Sequence, residues 1–194
     1  MINIFFVLGR PGAGKSSLCR ELKRQHEKTT LHLEVGHLLR TQRQSILKKS
    51  EKEGQLVPTE IIVNLLTEEF KKINRQQQQL ILIDGFPRSL EQLDGWNKQS
   101  ELNNQCHRLE GPPIIFFLDC PRDVCIARLT ERQRSADDTN EDLIISRLNS
   151  FSRDTLPVLS RGERKVYSFD ATLSTESLTV LILKKIREEQ QQNG

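Results

Sequence analysis

The sequence predicts an α/β fold, a three-layer sandwich in which helices cover both faces of a central parallel sheet of about five strands. Three observations support this prediction. Short apolar runs alternate along the chain with longer segments of helical periodicity. Two of the runs, LILID and IIFFLD, are apolar at nearly every position, as expected of strands buried on both faces. The first run leads into a glycine-rich loop and then a helix-like segment.

Five apolar runs are predicted to be the strands, and they are Ile2–Leu8, Leu31–Val35, Leu80–Asp84, Ile114–Asp119 and Val166–Phe169. Segments such as Ile61–Phe70, with apolar residues at helical spacing, are predicted to be helices between them. Short strands that alternate with helices indicate right-handed crossovers and a parallel sheet. The glutamine-rich patches Gln76–Gln79 and Gln190–Gln192 are predicted to be a loop and a frayed tail.

Length and composition narrow the class of protein. The chain of 194 residues fits one domain with a full core, and nothing in it requires more than a monomer. A net charge of +3 and 5% aromatic residues provide no basic and aromatic face, so we expect no nucleic-acid partner. The N-terminal apolar run is too short for a signal peptide or a membrane span, so we expect no membrane partner.

The cysteines predict the redox environment. The chain has four of them, namely Cys19, Cys106, Cys120 and Cys125. They form no CxxC pair and have no histidine spacing suited to a zinc motif. We therefore expect reduced thiols in a cytoplasmic protein, with the nucleus as the alternative compartment.

The loop GRPGAGKSS, from Gly9 to Ser17, fits the P-loop pattern GxxxxGK[ST] between a strand and a helix. Its glycines allow successive backbone N–H groups to point inward and form an anion-binding nest at a helix N-terminus. Lys15 is expected to contact the β- and γ-phosphates of a nucleotide triphosphate, and Ser16 to bind phosphate or Mg²⁺. The predicted triphosphate-binding residues are Gly12, Ala13, Gly14, Lys15, Ser16 and Ser17.

A second motif, DGFPRS, follows the third predicted strand. Asp84 stands at the carboxyl end of this buried strand, where open α/β sheets bind ligands. Its carboxylate is predicted to order water bound to Mg²⁺, so Asp84 and Ser16 are the candidate metal-site residues. The tight turn that follows places Arg88 close to the same phosphates.

Five segments, GRPGAGKSS, VGHLLR, GQLVP, DGFPRS and RSADD, occur in this order over nearly the whole chain. Together they resemble the nucleoside monophosphate kinases of the adenylate kinase and UMP/CMP kinase family. The resemblance implies transfer of the γ-phosphoryl group of ATP to a nucleoside monophosphate, with Mg²⁺ as cofactor. It also implies one P-loop kinase domain over 1–194, with a core (1–35, 75–127 and 149–194), a helical monophosphate-binding insert (36–74) and a short lid (128–148).

The resemblance also assigns roles to single residues. The residues implied to bind the acceptor monophosphate are Val35, Arg40, Gln55, Leu56, Val57, Arg88 and Gln92. Arg128 is implied to help hold the base of ATP. The implied catalytic residues are Lys15, Arg88, Arg132, Arg134 and Arg147, and the lid is implied to include Asp137 and Asp138. Arg128 and Arg132 lie four residues apart, so both project from one face of a helix.

Two alternatives stay open at the level of sequence. UMP and CMP are slightly favoured as acceptors because Val35 cannot hydrogen-bond a base and because FFLDC and DGWNK look like the UMP/CMP branch. AMP is the alternative, since Gln92 has donors and acceptors for two edges of adenine. A regulatory nucleotide-binding protein with weak or no transfer is an alternative of another class. His37 in place of the family's aspartate and a short lid without glycines motivate it.

Overall fold

The structure, a computed structural model, describes residues 3–41, 57–73, 80–103, 113–132, 140–162 and 164–192. The strands in these ranges are β1 (Asn3–Gly9), β2 (Thr30–Glu34), β3 (Leu80–Asp84), β4 (Ile114–Asp119) and β5 (Val166–Asp170). The α-helices are α1 (Lys15–Gln25), α2 (Val35–Thr41), α3 (Thr59–Lys71), α4 (Leu90–Asn103), α5 (Arg122–Arg132), α6 (Glu141–Ser150), α7 (Leu156–Leu159) and α8 (Thr175–Gln192). A π-helical turn (Phe151–Thr155) joins α6 to α7.

The five strands form one parallel sheet in the order β2-β3-β1-β4-β5, which confirms the predicted fold class. Strand β1 lies in the centre and pairs with β3 on one edge and β4 on the other. All of its residues are buried. Since both faces of a central parallel strand are covered by helices, β1 is apolar at nearly every position instead of alternating.

Alternate residues of β1 pack into two separate cores. Phe5 and Val7 contribute to the core beneath α1, α5, α6 and α8. Ile4, Phe6 and Leu8 contribute to the opposite core, beneath α3, α4 and the π-helical turn. Side chains point to opposite faces at successive strand positions, so one strand supplies both cores. The protein is therefore a three-layer sandwich, as the sequence predicts.

The chain leaves the two neighbouring strands β1 and β3 toward opposite faces of the sheet. Leu18 of α1, which follows β1, lies in one core, whereas Leu93 and Trp96 of α4, which follows β3, lie in the other. Divergent connections from adjacent parallel strands open a crevice at their carboxyl ends, and open α/β sheets bind their ligands there. The fold thus places the two sequence motifs at one crevice.

Several predicted boundaries differ from the structure, and β1 and β5 each continue one residue further, to Gly9 and Asp170. The second strand was expected over Leu31–Val35, but β2 ends at Glu34 and Val35 is the first residue of α2. Gln190–Gln192 were expected to fray, but α8 continues to Gln192. The end of this helix is anchored because the Glu189 carboxylate, which is 1% exposed, accepts hydrogen bonds from the Lys165 ammonium and the Tyr167 hydroxyl. Gln76–Gln79 lie outside the described residues.

The predicted lid range, 128–148, includes residues that belong to the core. Leu129, Ile144 and Leu148 are buried in the cluster shared with α1 and α8.

Among the helices of the described ranges, none combines the length and the hydropathy needed to cross a membrane.

Close packing between α3 and α4 gives a test of this arrangement. A Cβ at Gly95 would lie 2.4 Å from Cγ2 of Thr59. We predict that Gly95→Ala lowers the free energy of unfolding by about 1 kcal/mol, because overpacking outweighs the gain in helix propensity. Thr59→Ser removes the obstructing methyl group and keeps the hydroxyl that donates to Glu91.

In the Thr59→Ser background, Gly95→Ala is expected to be neutral or stabilising. Urea unfolding of the four proteins of this double-mutant cycle measures the coupling. An equal loss of stability in both backgrounds would show that the contact with Thr59 does not limit this position.

Candidate functional site

The glycine-rich loop lies directly against β4 and α5. A Cβ at Gly12, where φ is +86°, would lie 2.5 Å from the carbonyl oxygen of Cys125. A Cβ at Gly9 would lie 2.7 Å from the carbonyl oxygen of Leu118. Only glycine permits this approach, and it carries the loop straight into α1, which begins at Lys15. The unpaired N–H groups of that helix terminus therefore face the crevice and favour an anion.

Lys15 lies at the centre of the loop. Its Nζ donates hydrogen bonds to the carbonyl oxygens of Gly9 at 2.7 Å and Arg10 at 2.9 Å. Enclosure by protein lowers the pKa of Lys15 to about 8, while the Asp84 carboxylate opposes this shift and Arg88 adds to it. The ammonium is therefore charged at neutral pH and is held where phosphate would be bound.

Asp84 is the anion beneath these cations. Its side chain is 3% exposed. Burial by itself would raise the pKa of Asp84, but the neighbouring side chains of His32, Lys15 and Ser16 outweigh burial and hold the pKa below its usual value. The carboxylate is thus ionised inside the protein. Nε2 of His32 lies 3.5 Å from Oδ2 of Asp84, a contact that the sequence reasoning missed.

Three hydrogen bonds, from the turn after β3, α4 and the π-helical turn, fix Arg88. The Arg88 side chain donates through Nε to the carbonyl oxygen of Gly85 at 3.0 Å. Its backbone N–H donates to Oε1 of Gln92 at 2.8 Å, and its carbonyl oxygen accepts from the Thr155 hydroxyl at 2.9 Å. The guanidinium is surrounded by protein yet reaches the solvent of the crevice. Arg88 is therefore held in position by hydrogen bonds, and among the described residues no ion pair within the turn occupies its guanidinium.

Arg40 and Arg88 converge over Gly36. A Cβ at Gly36 would lie 3.3 Å from Nη1 of Arg40 and 4.0 Å from Nη2 of Arg88. Nη2 of Arg40 also forms an ion pair with Glu34 at 3.2 Å. Two guanidinium groups at one point suit a phosphate, since each presents a planar fork of donors.

The base-binding residues expected from the resemblance lie in different surroundings. Val35 is buried in the apolar core, and Val57 packs against the same core. Gln92 is buried and its Oε1 is bonded to the backbone of Arg88. These side chains therefore support the turn and the core. The Gln92 contact is local, because Ser89 and Gln92 form the Ser-x-x-Gln pattern of a helix start and the Gln92 N–H donates to Oγ of Ser89.

The crevice is a cleft of about 250 Å³ between the P-loop, the turn after β3 and α6. Its walls include Lys15, Arg88 and Arg147, and Arg147 interacts electrostatically with Lys15. Asp154 and Thr155 of the π-helical turn also line it. π-Helical turns often occur at functional sites, because the extra residue per turn displaces neighbouring side chains. The sequence predicted Arg147 as a site residue but gave no indication of the π-helical turn.

A second, more open cleft lies at the carboxyl ends of β4 and β5. Its lining residues are Arg10, Asp119, Cys120, Pro121, Ser168, Asp170 and Thr172. Arg10 spans it by an ion pair with Asp119 at 3.2 Å and a hydrogen bond to the carbonyl oxygen of Cys120. Arg128 of α5 donates to the carbonyl oxygen of Ala171 at 2.8 Å. Arg128 therefore braces the loop after β5.

Some predicted site residues lie outside the described part of the chain. They are Gln55, Leu56, Arg134, Asp137 and Asp138, together with the side chain of Arg132. The described Gly12, Ala13, Gly14, Lys15, Ser16 and Ser17 form the loop and the start of α1 as predicted from their pattern.

The close approach of Gly12 to α5 can be tested with a matched glycine. Gly162 also has a positive φ, +74°, but a Cβ there would meet nothing within 4 Å. We predict that Gly162→Ala costs about 1 kcal/mol of unfolding free energy from backbone strain alone. Gly12→Ala is expected to cost clearly more and to weaken phosphate binding, because the Cys125 backbone must also move. Chemical denaturation and phosphate titration measure both, and equal effects of the two variants would contradict the argument.

Comparison with known proteins agrees with this geometry. The sequence model of the family described as adenylate kinase matches residues 7–166. The chain is 33% identical over 188 residues to the UMP-CMP kinase of Homo sapiens, covering 90% of this chain and 92% of that protein. It is 33% identical over 174 residues to UMP-CMP kinase 2 of Caenorhabditis elegans, covering 84% of each. The chain therefore belongs to the adenylate kinase family and is a nucleoside monophosphate kinase, a phosphotransferase with a phosphate group as acceptor.

Proposed function

We propose that this protein transfers the γ-phosphoryl group of Mg·ATP to a pyrimidine nucleoside monophosphate, UMP or CMP. One observation carries the proposal. Lys15 and Arg88 line one crevice, and the guanidinium of Arg40 converges with that of Arg88 over Gly36. Phosphoryl transfer needs two phosphates held in line and their charge neutralised, which this arrangement supports.

The triphosphate is assigned to the P-loop. Lys15 would exchange its bonds to the loop carbonyls for bonds to the β- and γ-phosphates, and the N-terminus of α1 would add its N–H groups. Arg128 and the cleft that contains Arg10 would hold the base and ribose. Arg147 would approach the transferred group, since it already lies beside Lys15.

The residues at the floor of the crevice fit Mg²⁺. Ser16 offers a hydroxyl, and Asp84 offers a buried carboxylate whose Oδ2 has no hydrogen-bond partner among the described residues. Mg²⁺ prefers oxygen ligands and keeps several waters, so a carboxylate that orders those waters is suitable. When bound, the ion would neutralise charge on the phosphates. Ser16 and Asp84 are the residues that would hold it.

The acceptor phosphate is assigned to Arg40 and Arg88. Arg40 forms an ion pair with Glu34, and the acceptor phosphate would displace the Glu34 carboxylate. The lid residues Arg132, Arg134, Asp137 and Asp138 are proposed to close over the transferred group and exclude water. The segment that contains Gln55 and Leu56 is proposed to lie along the base.

Pyrimidine acceptors are favoured because both the human and the nematode relatives are named as UMP-CMP kinases. AMP is the second candidate, since the matching family model is described as adenylate kinase. Gln92 does not favour adenine here, because its Oε1 is bonded to the Arg88 backbone.

The acceptor is tested directly by measuring ADP formation from Mg·ATP with UMP, CMP, AMP, dCMP and GMP supplied separately. We predict at least tenfold higher kcat/KM for UMP or CMP than for AMP, a ratio within the range of one base-reading pocket. Lys15→Met, which lacks the ammonium, is the inactive control. Highest activity with AMP would contradict the base assignment. If the protein binds ATP but forms no more ADP when any acceptor is added, the result would instead favour a regulatory nucleotide-binding protein.

Arg88→Ala separates the two phosphate sites. We predict that it raises KM for the monophosphate by at least about tenfold while the affinity for ATP stays within about threefold, because Arg88 is assigned to the acceptor phosphate. Arg24→Ala on the exposed side of α1 is the matched control, with an unchanged KM. Steady-state kinetics and equilibrium ATP binding supply the two numbers. An equal loss for both ligands would remove the assignment.

A further inference from the structure

A cluster of metal-ligating side chains lies behind the P-loop, where α1 packs on β2 and β3. Its members are Cys19 of α1, His32 of β2 and Asp84 of β3. One ligand atom of each lies within 4.8 Å of the others. The strand register pairs Glu34 with Asp84 and His32 with Leu82, so alternation brings His32 to the face of the sheet that α1 covers.

This cluster is largely buried and contains polar atoms without a hydrogen bond. The side chains of His32 and Asp84 are 7% and 3% exposed, and Cys19 is fully buried. Within the described part of the chain, neither Nε2 of His32 nor Oδ2 of Asp84 has a hydrogen-bond partner. Buried polar atoms nearly always have one. The two atoms face each other at 3.5 Å without a hydrogen bond, so an ion placed between them would give each a ligand bond.

The spacing fits a tetrahedral ion with ligand bonds of about 2.0–2.3 Å, which places neighbouring ligand atoms about 3.3–3.7 Å apart. His32 and Asp84 already meet this condition at 3.5 Å. Sγ of Cys19 lies within 4.8 Å of a ring nitrogen of His32 and a carboxylate oxygen of Asp84, so it would have to move closer when the ion binds. A thiolate, an imidazole and a carboxylate together suit zinc, whereas Mg²⁺ prefers oxygen ligands alone.

We propose that Sγ of Cys19, Nε2 of His32 and Oδ2 of Asp84 form a binding site for one Zn²⁺ ion, with water as the fourth ligand. Binding converts the Cys19 thiol to a thiolate and releases one proton to solvent, while His32 binds as neutral imidazole and Asp84 as carboxylate. No other co-reactant is required. The site includes none of the residues assigned to the phosphates, but it shares Asp84 with the proposed Mg²⁺ site.

This shared carboxylate gives the site a consequence that rests on the proposed function. With Asp84 bound to zinc, its charge is no longer available to order the waters of Mg²⁺ or to compensate Lys15. Zinc is therefore expected to inhibit phosphoryl transfer even at saturating Mg·ATP. Because α1 would be tied to β2 and β3, the ion is also expected to raise the unfolding temperature.

Titration of the full-length protein with Co²⁺, without nucleotide, tests the site independently of activity. We expect one equivalent to produce thiolate-to-cobalt charge-transfer absorption and tetrahedral d–d bands, both abolished by one equivalent of Zn²⁺. Cys19→Ser and His32→Gln are each expected to weaken binding at least about tenfold, with the charge-transfer band lost in the serine variant.

Two matched variants control for other cysteines and histidines of the chain. Cys125→Ser removes another fully buried thiol, and His26→Gln removes a histidine outside the cluster. Both are expected to bind Co²⁺ as the unmodified protein does. Should Cys19→Ser fail to fold, His32→Gln decides the result, because glutamine keeps a polar side chain beside Asp84. Unchanged binding by His32→Gln, or equal losses in the controls, would overturn the proposal.

The inhibitory role is measured as the ratio of turnover with and without Zn²⁺. We expect turnover to fall at least about fivefold in the unmodified protein and to be unaffected by zinc in His32→Gln at the same concentration. Turnover without zinc reports the proposed function separately, so an inactive protein that still binds cobalt contradicts only the kinase assignment. Spectroscopic binding with full turnover would overturn the inhibitory role.

Discussion

One buried negative charge organises the phosphate crevice. Asp84 lies at the carboxyl end of β3, below Lys15 and beside His32, and its pKa is held below the usual value in spite of burial. Without an anion at this place, Lys15, Arg88 and Arg147 would repel one another in an enclosed cleft. The carboxylate permits an array of cations to fold in advance of the phosphates that it would bind, so little reorganisation is needed at the moment of reaction.

The backbone of the P-loop supplies the second constraint. At Gly12 the loop approaches the Cys125 carbonyl so closely that no Cβ fits, and at Gly9 the same holds for Leu118. The central strand, the loop and α1 are therefore fixed against β4 and α5, which are themselves part of the core. Precision at the phosphate site thus comes from close packing of backbone on rigid elements, and the arginines depend on this support.

The crevice is closed on its far side by a chain of contacts distant in sequence. The π-helical turn carries Thr155 to the carbonyl oxygen of Arg88, while Phe151 of the same turn stacks on Phe117 of β4. The ion pair of Arg40 with Glu34 gives that guanidinium an anionic partner, which the proposed acceptor phosphate would replace. The zinc site proposed behind the loop would use the same carboxylate as the proposed Mg²⁺ site, so the two ions would share Asp84 and no other protein ligand.

The sequence by itself determined the sheet, the P-loop and the DGFPR turn, because these depend on local requirements. Buried strands need continuous apolar residues, a phosphate nest needs glycine, and a ligand-binding carboxylate follows a strand at its carboxyl end. Only the tertiary structure decided the surroundings of His32 and Val35. His32 reaches Asp84 through strand pairing, and Val35 begins a helix packed in the core. Such contacts join positions that no local pattern relates, because register, helix packing and burial are properties of the assembled chain.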